Sequence, residues 1–133
     1  MVEIESRGQP PAQRLSSVTT VQVEFKDTVA GFIPTMPPVA ATPYLVMIAE
    51  IACTNLVLDR LGPGQITVGT RVVIDHLGAS KVGATLTLHT EFVGRETNWF
   101  KFSVRIKDAE RTVAKIEHER AAVAFQKIMN ALG

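Results

Sequence analysis

A single cysteine stands among 133 residues, so no intramolecular disulfide can close, and the chain reads as one for a reducing, cytoplasmic compartment. No Cys/His spacing resembles a zinc site, and no metal is expected. An excess of charge of either sign is missing too. Fourteen basic residues face thirteen acidic ones, for a formal net charge of +1. A nucleic-acid binder of this size ordinarily carries a strong basic excess, so DNA and RNA are not expected partners. Long apolar runs are absent as well. The longest, residues 43–53, is interrupted by Glu50 and is too short to span a bilayer, so no membrane is expected. Residues 1–17 are polar, rich in Pro and Gln, and without the apolar segment of a secretion signal. What remains is ordinary for a soluble globular chain, with 46% hydrophobic and 20% charged residues. At 14.5 kDa there is room for one domain over residues 1–133, with 1–15 a loose lead-in broken by Gly8, Pro10 and Pro11.

Residues 18–25 alternate, Val21, Val23 and Phe25 against Thr20, Gln22 and Glu24, which predicts a half-buried strand. Residues 26–41 hold Gly31, Pro34, Pro37 and Pro38 and read as an irregular loop, of a length that is usually functional or mobile. A long helix is predicted over 42–61. Thr42 is its cap, Pro43 its first helical residue, and Leu61-Gly62-Pro63-Gly64 its end. Its first half is apolar almost all round, which predicts burial on most sides. Four strands follow, over 67–76, 84–93, 99–108 and 111–125, separated by turn signals at 78–83, 95–98 and 108–111. Residues 126–132 read as a strand end or a short helical turn. Consecutive strands with short turns make an antiparallel meander, and one helix is available to cover its inner face. The expected class is therefore α+β, a hotdog fold with an antiparallel sheet of about five strands wrapped around one long buried helix. Its open edges and helix flanks call for a homodimer, with pairing into tetramers left open.

Glu50 is the one charge in the apolar helix. Burying a carboxylate costs several kcal/mol unless it is paired, so one kept there without need is rare. Its structural alternatives are a solvent-facing line of the helix or an ion pair at a dimer interface; the functional reading is preferred. His76 closes the run Val72-Val73-Ile74-Asp75-His76, and taken alone it reads as a partly exposed strand-end histidine. His89 reads as structural, and His118, within Lys115-Ile116-Glu117-His118-Glu119-Arg120, as part of a solvated strand face. Cys53 has apolar neighbours and no basic partner, so an inert core thiol is expected. Thr42 and Glu50 lie eight helical residues apart, about 12 Å along the axis. They would flank a bound group instead of touching, which argues against a dyad in which Glu50 deprotonates Thr42.

Taken in order, Ala41-Thr42-Pro43-Tyr44-Leu45-Val46 leading to Glu50, then Thr67-Val68-Gly69-Thr70, Asp75-His76-Leu77 with Gly83 after it, and His118-Glu119-Arg120 resemble the fluoroacetyl-CoA thioesterase-like group of hotdog proteins. The resemblance implies acyl-CoA thioester hydrolysis by a homodimer, with coenzyme A present only as part of the substrate and no other cofactor. It implies a catalytic Thr, Glu and His at Thr42, Glu50 and His76, and places Gly69 and Arg120 at the site. Such chemistry fits the residue types. An oxygen attacks or is activated by Glu50, His76 shuttles a proton, and Gly69 allows close backbone approach. Arg120 pairs with Glu50 or holds a carboxylate or phosphate. Lys81, Arg95, Lys101 and Lys127 are all available to the CoA phosphates. The chain departs from the family in the loop before the helix, where the family resemblance implies a hydrophobic lid built on two phenylalanines. Those positions fall here on Ile33 and Met36, with Phe32 one place out of register. A different small or medium acyl group is the expected substrate. Enoyl-CoA hydration on the same scaffold, and a non-catalytic module that binds acyl thioesters, are the competing functions.

Overall fold

Alternation of apolar and polar residues at period two sends one set of side chains to each face of a strand, and five such stretches here join one sheet. The computed structural model describes residues 15–133, so the lead-in expected over 1–15 lies, but for Leu15, outside the described residues. The strands are β1 (Ser16–Gln22), β2 (Gln65–His76), β3 (Thr85–Glu96), β4 (Trp99–Asp108) and β5 (Arg111–Ala124). They stand in the order β1-β3-β4-β5-β2, and every neighbouring pair is antiparallel. Leu86, Leu88, Thr90 and Phe92 of β3 and Phe100, Phe102, Val104 and Ile106 of β4 all turn inward and are buried. The Phe92 ring meets Phe100 and Phe102 edge-on, at 6.0 and 5.7 Å between centroids. Helix α2 (Thr42–Val57) lies across this face and buries Leu45, Ile48, Ala49, Ala52, Cys53 and Val57 against it. This is the hotdog arrangement, one curved five-stranded antiparallel sheet around one long helix.

Several elements depart from the sequence expectation. Only β3, β4 and β5 form the meander; β2 pairs with β5 at the far edge. Turn signals mark where a strand stops, not which strand it then pairs with. The β2–β3 connection crosses the open end of the fold, where the Ala40 N–H donates to the Ser80 carbonyl and the Gly83 N–H to that of Val23, each at 2.8 Å. The first strand ends at Gln22. Beyond it Glu24 and Asp27 bond reciprocally across a 3-10 turn, Phe25–Asp27, and Phe25 turns out to solvent. The loop before α2 also contains a short helix, α1 (Val29–Phe32), and the C-terminus a helix, α3 (Phe125–Leu132). Helix α2 stops at Val57 and continues as a 3-10 turn, Leu58–Arg60. Nor is α2 buried on most sides: Met47 and Ile51 remain 54% and 51% exposed. The segment Thr42–Arg60 is long and apolar enough to cross a bilayer by length and composition. Here its apolar face is packed on the sheet.

Candidate active site

The N-terminus of α2 differs from its expected form. Ala41, in extended conformation, is the N-cap residue and Thr42 is already helical. The Thr42 hydroxyl therefore does not cap the helix. It lies 2.7 Å from Nδ1 of His76, the last residue of β2. The next helical residue, Pro43, suits the first turn because its missing N–H has no partner to lose there. The two residues, 34 apart in the chain, thus form one polar pair beside the first turn of α2.

Two turns further along α2 stands a second group. Arg120 of β5 is buried, with 7% of its side chain exposed, while 33% of the Glu50 side chain remains open. Arg120 Nε donates to Thr67 Oγ1 and Nη2 to the Thr67 carbonyl, both at 2.8 Å. Nη1 donates to Glu50 Oε1 at 3.2 Å and meets His118 Nε2 at 3.1 Å. A guanidinium is always a donor, so His118 Nε2 must be the bare, accepting nitrogen. Its proton then sits on Nδ1 and is donated to the Arg71 carbonyl at 2.8 Å. Burial pushes the His118 pKa below the usual histidine value; the bond to Arg71 opposes this, and the Arg120 charge adds to the lowering. His118 is thus not on a solvated face. It is buried, because even-numbered residues of β5 from Ala114 to Arg120 share the inward parity of Ile116.

Gly69 closes the group. A Cβ built there would lie 2.8 Å from Glu50 Oε1 and 3.3 Å from His118 Cε1. The missing side chain is the space the carboxylate occupies. The β2–β5 register shifts between Gly69 and Arg71, a bulge of the kind that re-aims side chains beside functional sites. Cys53 is buried, and burial pushes its thiol up to about 12 although Arg120 lies close enough to oppose the shift. Burial thus favours the protonated thiol, but Cys53 does have a basic neighbour, contrary to the sequence expectation. His89 is exposed on the outer face of β3.

The chain therefore brings Thr42 to His76, and Glu50 to Gly69 and Arg120. The two groups stay separate, set apart by about 12 Å of helix. Thr67 and His118 are site residues that sequence reasoning passed over. Phe32, the last residue of α1, and Ile33 and Met36 beyond it are exposed on a flap ahead of α2. Its base is tied by the Thr28–Ala40 bridge and by the Val29 N–H to the Val39 carbonyl, immediately ahead of Thr42. Of the basic candidates, Lys101 pairs with Glu96, Arg95 lies over the Phe100 ring, and Lys81 bridges to Val39 at the flap. An apolar groove of about 310 Å³ lies between α2 and β1, lined by Ile48, Ile51, Ala52 and Leu56. At 100° per residue those positions face the flank of α2 away from Glu50, so the groove is no part of this site.

The profile of the fluoroacetyl-CoA-specific thioesterase family matches residues 23–126, a span that takes in both groups. The chain belongs to this family of thioester hydrolases. It is 30% identical over 91 residues to the fluoroacetyl-CoA thioesterase of Streptantibioticus cattleyicolor, a match spanning 68% of this chain and 66% of that protein's length. The solved structure of the fluoroacetyl-CoA thioesterase FlK superposes with a TM-score of 0.84 at 25% identity, covering 90% of this chain and 93% of that one. A FlK variant solved with fluoroacetate and CoA gives 0.80 at 26% identity, over 86% and 97%. A hot-dog-like protein from Thermanaerovibrio acidaminovorans gives 0.82 at 18% identity over 90% and 88%, a likeness of fold alone.

Proposed function

We propose that the protein hydrolyses a small or medium acyl-CoA thioester to the free acid and CoA. The observation that carries this reading is the half-open Glu50 carboxylate, held by a buried Arg120 and given room by Gly69. It lies on the helix whose first turn carries the Thr42–His76 pair. A thioester carbonyl lying between the two groups meets Glu50 on one side. Glu50 either attacks the carbonyl carbon, expelling the CoA thiolate and leaving a mixed anhydride for water to open, or draws a proton from the attacking water. The Thr42 hydroxyl and the N–H groups of the first turn favour negative charge at the other end of the bound group. His76 carries the proton to the leaving thiolate. Coenzyme A enters as part of the substrate, and no further cofactor is required. The flap with Phe32, Ile33 and Met36 excludes water from the acyl end.

The working form is a cytoplasmic homodimer. Strand β2 is a twelve-residue sheet edge on which Val72 and Val73 are apolar and exposed, and Met47 and Ile51 of α2 are exposed as well. An uncovered edge of that length invites pairing with a second chain. The free, buried Cys53 accords with a reducing compartment. A panel of acyl-CoAs tests the reaction, with free thiol and double-bond absorbance followed together. Thiol release supports hydrolysis. Loss of the enone band without thiol would mean hydration, and neither signal would mean a binding module.

A further inference from the structure

We infer that His118 and Thr67 are positioning residues, a neutral clamp that fixes the Arg120 guanidinium so that one N–H stays aimed at Glu50. This rests on the reading of Glu50 as the catalytic carboxylate. Arg120 is held along one edge by Thr67, through Nε to the hydroxyl and Nη2 to the carbonyl. Those two bonds fix the plane of the guanidinium. Nη1 is left to serve Glu50, and its second partner is the bare Nε2 of His118. His118 is itself fixed from the other side by the Arg71 carbonyl, and its ring lies against Phe102, at 6.4 Å between centroids. Every polar atom of the clamp is thereby committed, and a satisfied buried network of this kind holds one geometry.

The clamp has a built-in acid sensitivity. A proton added to His118 Nε2 would point at an Arg120 N–H, donor against donor, with two cations in contact. The groups acting on His118 are Arg120 and Glu119 on β5, Glu50 on α2, and the carbonyl of Arg71 on β2. The Arg71 carbonyl and the two carboxylates favour the imidazolium. Arg120 and burial oppose it. Protonation would swing Arg120 away from Glu50, and hydrolysis would fall as pH drops through the lowered His118 value.

The wild-type protein offers a readout independent of activity. Its ¹⁵N-histidine NMR spectrum is expected to show His118 neutral and protonated on Nδ1 at pH 7, with the Arg120 guanidinium N–H signals protected from water exchange. An Nε2–H tautomer, or an imidazolium at that pH, would overturn the clamp. Kinetics supply the second arm. His118→Phe is expected to lower kcat by about 100-fold with little change in KM, since displacing a reacting group by an ångström costs that much. It should also lose the Arg120 protection. His118→Gln keeps a neutral acceptor and should restore kcat while moving the acid limb of the pH–rate profile to lower pH. Wild-type kcat in the Phe variant, or an unmoved acid limb in the Gln variant, would remove His118 from the mechanism. Should the wild type release no thiol from any acyl-CoA, the hydrolase reading fails, and the NMR result still decides the clamp.

Discussion

A lone carboxylate in an apolar helix can be replaced by its neutral isostere without disturbing packing, which makes Glu50 the residue to test first. Glu50→Gln leaves an oxygen for Arg120 Nη1 but removes the charge, so CoA release should fall at least about 100-fold while the fold persists. The buried guanidinium loses a countercharge, and a small drop in the melting midpoint is expected alongside. Near-wild-type turnover would return Glu50 to a structural role. Gly69→Ala asks the same question sterically. Its Cβ would stand 2.8 Å from Glu50 Oε1, the far end of a flexible side chain, so the carboxylate moves aside and the strand does not. Lost kcat with an unchanged melting curve is the expected outcome, and full activity would contradict the placement of Glu50. His118 links the site to stability. Its folded pKa lies below the unfolded value of about 6.5, so its contribution is complete above that pH and is lost as pH falls through the lowered folded value. Glu50 is legible in the sequence because charge and apolar periodicity collide there. Arg120 and His118 are obscured by the charged run around them, although counting by twos from Ile116 puts both inside.

Single strands and helices were legible wherever one face is core and the other solvent. In β4 the strict alternation yields the right boundaries and the right inward set, because each inward residue is large and apolar. Pairing is a different matter. The partner of β2 is chosen by a connection that crosses the open end of the fold, and nothing in the local pattern of residues 65–84 carries that choice. Helix α2 shows the converse limit: an apolar composition all round cannot tell a flank buried by the sheet from one left open, as Met47 and Ile51 are. In β3 the parity is right, yet it carries a polar residue inward. Thr90 is buried opposite Ser17 of β1, and its hydroxyl has no hydrogen-bond partner among the described residues. An unsatisfied buried hydroxyl costs about 1–3 kcal/mol, and valine has the same shape without it. Thr90→Val should therefore raise stability by roughly 1 kcal/mol, visible as a melting midpoint several degrees higher. A fall in the midpoint would mean the hydroxyl has a partner in solution.

At the level of the whole molecule, the proposed dimer would draw on the edge strand β2 and on exposed apolar residues of α2 such as Met47. Met47 is exposed in the single chain, and a lysine there would cost an isolated protomer little. In a dimer that covers this residue, Met47→Lys should weaken association at least about tenfold, or roughly 1.4 kcal/mol, in analytical ultracentrifugation. Unchanged association would move the interface elsewhere. The flap is the proposed determinant of the acyl group. Its tip presents Ile33 and Met36 where the family resemblance implies an aromatic pair, and its base is tied to the segment that leads into Thr42. Aliphatic side chains still exclude water, but methionine is flexible and offers no fixed, rigid surface to a single fluorine. An apolar pocket discriminates by about 1–3 kcal/mol for a whole methylene, and fluorine differs from hydrogen by less volume than that. The expected kcat/KM values for fluoroacetyl-CoA and acetyl-CoA therefore lie within about tenfold of each other, with longer small or medium acyl-CoAs turned over better. Replacing Ile33 and Met36 together by phenylalanine should widen the ratio in favour of the fluorinated substrate, because it restores the rigid pair without touching Thr42, Glu50 or His76. A wild-type preference of several orders of magnitude would show that selectivity is set at the reacting carbonyl and not by the flap.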